Sequence, residues 1–293
     1  MREEINIQWF PGHMTKARRM IAEQVKLVDA VCEIIDARIP ISSRNPDLDE
    51  LTGDKPRLVI MNRTDQADPE ATKRWSAYYR ARGLAVLETD AKSGKGTSEF
   101  VSAVRTLLKE KIKAYEAKGQ AGRVLRLMVV GIPNVGKSSF INRIAGRRAA
   151  EASDRPGVTR GRQWITIGAG LELLDTPGIL WPKFESQTVG ENLAFTGAVK
   201  DDILDREGLA ANLMAILRET SPQKLAERYK IELPAEKSGY DLLGAAAKKR
   251  GFLLPGGVPD TERMAAVLLD EFRGGKLGRI TLERPGTETA GGE

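Results

Sequence analysis

The chain is poor in the side chains that build metal and thiol chemistry, with one cysteine, Cys32, and one histidine, His13, in 293 residues. That pair cannot supply the four nitrogen and sulfur ligands of a structural zinc site. Long apolar runs are missing as well. None approaches the roughly 18 residues that a membrane-spanning helix needs, so no membrane span is expected. The opening Met-Arg-Glu-Glu lacks the apolar stretch of a secretory signal and is too acidic for a transit peptide. Cys32 lies in the run DAVCEIID, which predicts a buried, inert thiol. No internal repeat is visible. These absences lead to the expectation of a cytoplasmic protein, or one of an equivalent organelle interior.

What is present is the composition of a soluble globular chain, 41% hydrophobic and 29% charged. The length allows one large or two ordinary domains, each with a sizeable core. A net charge of +6 hints at a polyanionic partner. Basic residues cluster at Lys16, Arg18 and Arg19, at Arg147 and Arg148, at Arg155, Arg160 and Arg162, and at Lys248, Lys249 and Arg250. Such runs are often no more than solvated faces.

Short apolar runs bounded by turn residues or charges predict strands over 29–38, 56–62, 84–90, 124–131 and 171–175. Helical spacing fills 15–27, 69–82 and 97–117 between them. Alternating strands and helices predict an α/β fold with a mostly parallel sheet and helices on both faces. From about 188 the strand signal fades, and 208–219, 221–230, 239–250 and 260–273 predict an all-helical domain, with Pro222 and Asp260 at first-turn and cap positions. The expected division is a first domain over 1–185, a helical domain over 186–284 and a disordered tail over 285–293.

GIPNVGKSS, 131–139, follows an apolar strand and precedes the helical SSFINRIAG. A chance glycine loop would lack that context; with it, the pattern is a P-loop. The backbone amides of Asn134, Val135, Gly136, Lys137, Ser138 and Ser139 would cradle phosphates at a helix N-terminus. Lys137 would reach the β- and γ-phosphates, and Ser138 would hold Mg²⁺. DTPG, 175–178, leaves the strand LELLD, placing Asp175 to serve the metal through water and the Gly178 amide to face the γ-phosphate. RPGVTRG, 155–161, precedes it and offers the Thr159 hydroxyl as another magnesium ligand. Each would be a plain turn alone; in order behind a P-loop they read as two switch loops.

Asn62-Arg63-Thr64-Asp65 ends the strand PRLVIMN and is similar to the Asn-Lys-x-Asp guanine reader of GTPases. Asp65 can accept from both N1–H and the exocyclic amine of guanine, a pair adenine lacks. Asn62 would brace the loop, and the Arg63 guanidinium would replace the lysine stem that covers the base. TDAKSGKG, 89–96, is similar to the loop whose alanine amide meets guanine O6, here Ala91, with Asp90 where serine is usual. In an ordinary GTPase these loops follow the P-loop; here they precede it. A circular permutation accounts for this, with AKGQAGR, 117–123, bridging the former termini. The second switch then leads straight into the helical domain, so loss of the γ-phosphate could move that domain.

Permuted order, WFPGHM at 9–14, DAR at 36–38, GIPNVGKSS, PGVT, DTPG and FRGGKLGRITLE at 272–283 together resemble the YlqF-type circularly permuted GTPases, the ribosome biogenesis GTPase A family. The resemblance spans nearly the whole chain. It implies GTP hydrolysis, action late in assembly of the large ribosomal subunit, and a helical domain on rRNA, for which Lys248, Lys249 and Arg250 are the candidate contacts. It also implies that Asn134 helps hold a potassium ion, and the protein is expected to be monomeric off the ribosome. Two other readings stand beside it: a GTP-gated RNA-binding placeholder whose hydrolysis only drives release, and a small-subunit assembly GTPase. Permuted small-subunit factors carry an added nucleic-acid-binding barrel or a cysteine-rich zinc module; this chain has no room for the first and one cysteine against the second.

His13 is the open residue of this pattern. In Ras-type enzymes a glutamine after the DxxG glycine orients the attacking water, and here that position is Ile179. A neutral imidazole could orient the water and share its proton, which makes His13 the candidate catalytic residue. An RNA contact or a packing role for the same aromatic segment is the competing reading.

Overall fold

The computed structural model describes residues 14–146, 164–176, 178, 180, 184, 186–199 and 205–286. They group into two compact units. A sheet unit holds the described residues of 10–64, 69–182 and from 283 on; a helical unit holds those of 65–68 and 183–282.

In the sheet unit the chain runs through α1 (Met14–Val25), β1 (Ala30–Asp36), α2 (Asp47–Thr52), β2 (Arg57–Asn62), α3 (Pro69–Ala81) and β3 (Ala85–Glu88). It continues through α4 (Phe100–Leu107), α5 (Lys109–Ala117), β4 (Leu125–Gly131), α6 (Lys137–Ala145), β5 (Trp164–Gly168) and β6 (Leu171–Asp175). The strands pair in the order β3-β2-β1-β4-β6-β5. All pairings are parallel except that of β5 with β6. Every residue of β1 is buried, and all of β2 but its first. Strands without polar alternation are covered on both faces, so helices must flank the sheet on each side. On one face Ile21 and Val25 of α1 and Leu48 of α2 close over Val31, Met128 and Val130. Burying each such side chain contributes about 1.5–3 kcal/mol. On α3 the spacing of Thr72, Trp75, Ser76 and Tyr79 turns one face inward. Both large rings keep polar partners, the Tyr79 hydroxyl donating to Pro40 O at 2.8 Å and Trp75 Nε1 to Glu283 O at 3.1 Å.

Each of the five expected strands contains an observed one. In the sheet unit two elements are additional, and both are short. The edge strand β5 is joined to β6 by the two-residue turn Ala169-Gly170, whose φ values of 51° and 73° are those of a type I′ hairpin. The usual signal there is Asn-Gly, and alanine does not announce it. Helix α2, six residues long, is too short to display a helical period. The expected helix over 97–117 divides at Leu108, where φ −99° and ψ 14° leave the helical region. Beyond the break, Lys111 and Tyr115 of α5 bond Asp29 at 2.7 and 2.8 Å. The connector after Ala117 turns at Gly119 and Gly122 before β4.

The helical unit comprises α7 (Gln187–Phe195), α8 (Arg206–Thr220), α9 (Pro222–Tyr229), α10 (Gly239–Lys249) and α11 (Thr261–Arg273). Leu209, Leu213, Met214, Ile216 and Leu217 of α8 are all buried, because the other helices pack around it. The caps are as expected: Pro222 stands in the first turn of α9, and the Asp260 carboxylate accepts from Arg263 N at 2.9 Å. Of the expected tail, 287–293 lies outside the described residues. Among the described residues no helix is long and apolar enough to cross a membrane.

Glu271 of α11 is the electrostatic keystone of this unit. It accepts from Arg228 Nε at 2.9 Å, Arg250 Nη2 at 3.1 Å and the Tyr229 hydroxyl at 2.9 Å. Burial pushes its carboxyl up, but these donors outweigh burial and hold it at about 2. A carboxylate depressed on folding contributes stability that is complete above its unfolded value and is lost as pH falls through the folded one. Denaturant midpoints are therefore expected to drop between about pH 4.5 and 2 in the native protein. Glu271→Gln should be less stable at neutral pH and lose that part of the acid dependence; an unaltered profile would assign the acid sensitivity to other carboxylates.

Candidate functional site

The loop after β4 is shaped by its backbone. Asn134 and Gly136 both adopt left-handed conformations, with φ of 59° and 94°. Gly136 has a second constraint, since a Cβ there would run into the Asn62 side-chain amide. Helix α6 starts at Lys137, with Phe140 N donating to Gly136 O at 2.9 Å. Phe140 anchors the helix edge-to-face on Phe100, with ring centroids 5.3 Å apart. The first amides of a helix have no intrahelical acceptor, and the end carries partial positive charge. Ser138 and Ser139 are exposed on that first turn. Lys137 forms an ion pair with Asp175 at the end of β6. One residue on, Thr176 Oγ1 donates to Val129 O at 2.7 Å, and a Cβ on Gly178 would lie 2.9 Å from Pro133 Cα. The start of the DTPG loop is thus seated against the phosphate loop.

The loops after β2 and β3 converge on the same end of the sheet. Asn62 is 2% exposed and is the hub. Its Nδ2 donates to Val135 O at 2.9 Å, and its Oδ1 accepts from Ala91 N at 3.0 Å and Thr89 Oγ1 at 3.2 Å. The amide that the resemblance assigns to guanine O6 is therefore already engaged by Asn62. Arg63, at φ 61°, donates from Nη2 to Asn134 O at 2.6 Å. Its guanidinium braces the phosphate loop rather than lying free over a base. Thr64 donates from N and Oγ1 to Thr89 O at 3.2 and 3.0 Å. Asp65 is exposed. Asp90 folds onto its own turn, with Oδ1 accepting from Lys92 N at 2.9 Å. Burial raises its carboxyl, but hydrogen bonds from Ser93 and Lys92 outweigh burial and hold it below the usual carboxylate range.

Two residues given no role by the sequence reading complete this constellation. Asp36, at the end of β1, is buried with Arg38, whose Nη2 lies 2.7 Å from its carboxylate. Arg63 Nε approaches the same carboxylate at 3.6 Å. Burial pushes the Asp36 carboxyl up, and Arg38 and then Arg63 hold it below the ordinary range. Arg143 of α6 donates to Ala91 O at 3.3 Å and to Lys92 O, tying the loop after β3 to the P-loop helix. The quoted DAR carried the first signal; nothing local marks Arg143.

Among the described residues no three of His, Cys, Asp and Glu cluster for a metal. The oxygen donors are the Ser138 hydroxyl and the Asp175 carboxylate, which suits a magnesium ion completed by phosphate and water. His13, Thr159 and Ile179 lie outside the described residues. In the helical unit, Lys248 and Lys249 line a groove of about 880 Å³ together with Lys230, Lys237 and Val258. Arg250 is committed elsewhere, paired with Glu271 and stacked 5.3 Å over the Tyr229 ring.

Residues 126–227 match the family model described as "50S ribosome-binding GTPase". The match begins in β4, so both base loops lie upstream of it. The chain is 48% identical over 280 residues to ribosome biogenesis GTPase A of Bacillus cereus, covering 95% of this chain and 94% of that protein. To ribosome biogenesis GTPase A of Priestia megaterium it is 48% identical over 283 residues, covering 96% and 98%. The crystal structure of GNP-bound YlqF from T. maritima superposes with a TM-score of 0.66 at 29% identity, over 92% of this chain and 99% of that one. A P-loop joined through one asparagine to base loops that precede it, and relatives alike from end to end, place the chain in the ribosome biogenesis GTPase A family, as a circularly permuted GTPase that hydrolyses GTP.

Proposed function

We propose that this GTPase is a cytoplasmic assembly factor acting late in maturation of the large ribosomal subunit, monomeric until it binds there. The nucleotide half of this reading is carried by Asn62, one buried side chain that fixes the base loops and the phosphate loop to each other. The ribosomal half is supported by the description of the matching family and by the relatives' names. Asp65 reads guanine N1–H and amine, and Ala91 meets O6 only by sharing its N–H with Asn62. The amides of Asn134 to Ser139 surround the phosphates, and Lys137 exchanges its pairing with Asp175 for the β- and γ-oxygens. Ser138, Thr159 and Asp175 form the magnesium site, and the Gly178 amide faces the γ-phosphate. Magnesium bound there would neutralise charge on the phosphate oxygens, and Asn134 is the proposed ligand of a potassium ion. His13 orients the attacking water, the task for which Ile179 has no hydrogen-bonding group. Lys248, Lys249 and Arg250 contact rRNA from the helical unit, Arg250 while paired with Glu271.

The test is co-sedimentation with purified large and small subunits under GTP, GDP and a non-hydrolysable analogue. GTP and the analogue are expected to hold the protein on large subunits, hydrolysis to be stimulated there, and GDP to release it. His13→Ala should lose the stimulated turnover with subunit and nucleotide affinities intact. Preference for small subunits, or release by nucleotide exchange without turnover, would defeat the proposal.

A further inference from the structure

Asp65 is an exposed residue on a turn, yet reading a base demands a carboxylate held to a few tenths of an ångström. Before it, Thr64 is bonded to Thr89 O. After it come three residues that join no strand before α3 begins at Pro69. Their backbones are held by successive residues near the C-terminus. Ile280 N donates to Gln66 O at 2.9 Å, Arg279 Nε donates to Ala67 O at 2.9 Å, and Asp68 N donates to Thr281 Oγ1 at 3.0 Å. The strap is itself anchored: Leu277 and Ile280 are buried, and Lys224 Nζ donates to Arg279 O.

We infer that the C-terminal strap Arg279–Thr281 is a positioning element for guanine recognition, fixing the segment that carries Asp65. This rests on the assignment of Asp65 as the base reader. The strap touches no nucleotide; it acts through the backbone that sets where the carboxylate lies. Because the base is common to both nucleotides, loosening the strap changes GTP and GDP binding alike. That separates it from the switch loops, which sense the γ-phosphate.

The variants are Thr281→Val, which keeps the shape and removes the acceptor, and Arg279→Ala, alone and combined. Dissociation of a fluorescent GDP analogue is read by stopped flow, and discrimination between GTP and inosine triphosphate by competition. Inosine retains N1–H and O6 but lacks the amine, so the ratio reports how firmly Asp65 is placed. Each lost bond is expected to speed dissociation about two- to tenfold. The double variant should shrink the guanosine-over-inosine preference, with GTP and GDP affected equally. In an Asp65→Asn background the strap variants should add almost nothing, since the group they position has been removed. A lowered melting temperature with unchanged dissociation and discrimination would overturn the inference, reducing the strap to a structural anchor. Full effects of the strap variants in the Asp65→Asn background would overturn it too. An Asp65→Asn protein with native preference for GTP over xanthosine triphosphate would instead remove the base-site assignment beneath it.

Discussion

Asp65→Asn is expected to lower GTP affinity on the order of a hundredfold or more and to raise affinity for xanthosine triphosphate. In the proposed site the carboxylate accepts from guanine N1–H and from the exocyclic amine. An asparagine amide turns one acceptor into a donor facing a donor, so one bond is lost and its partners remain unpaired. Xanthine carries an oxygen where guanine carries the amine, and the new donor meets it. Because Asp65 is exposed, the substitution leaves the core intact, and the thermal midpoint of the nucleotide-free protein should stay where it is. Competition binding with the two nucleotides gives the answer directly. A variant that binds GTP as the native protein does would show that another group reads the base.

Asn62→Ala should fail in the opposite way, losing stability and every nucleotide together. The side chain is buried and makes contacts at 2.9, 3.0 and 3.2 Å to the phosphate loop and the base loop after β3. Truncation removes the partner of Val135 O and of the Ala91 amide, at about 1–3 kcal/mol for each buried group left unsatisfied. A loss of about 3 kcal/mol is expected in denaturant unfolding. GTP, GDP and xanthosine triphosphate should all weaken by roughly a hundredfold, since loop geometry is lost rather than base chemistry. Asn62→Asp, which keeps the acceptor and loses the donor to Val135 O, should fall between. Native unfolding with selective loss of GTP would instead make Asn62 a base contact alone.

The contrast between these substitutions marks what the sequence makes legible. The P-loop, NRTD and DTPG announce themselves because their chemistry lies in residue types at fixed local spacing, and the buried strands because both-face burial leaves no polar alternation. The hub role of Asn62 depends on Val135 and Ala91, which only the sheet order brings near. Arg143 reads as an ordinary helix residue until the fold sets it beside Ala91 and Lys92. The strap is quieter still: most of its bonds are made to or by main chain, which any residue supplies. Strand β5 escaped notice because an edge strand needs neither full burial nor a long pattern. The Asp90 side chain, unusual for its loop, is explained only by its turn, where it caps Lys92.

The strand order has a consequence during synthesis. Of the sheet's two central strands, β1 leaves the ribosome well before its neighbour β4, whose Leu127 pairs with Ala30. At about 5–20 residues per second the wait for that neighbour is on the order of 5–20 s. Throughout it the nascent chain carries an apolar strand that β2 can cover on one side only. In an unpermuted order the phosphate-binding half would be made first and the same strands would arrive beside a finished edge. The rearrangement therefore leaves residues 30–36, all buried in the mature sheet, open to intermolecular strand pairing while the polypeptide is growing.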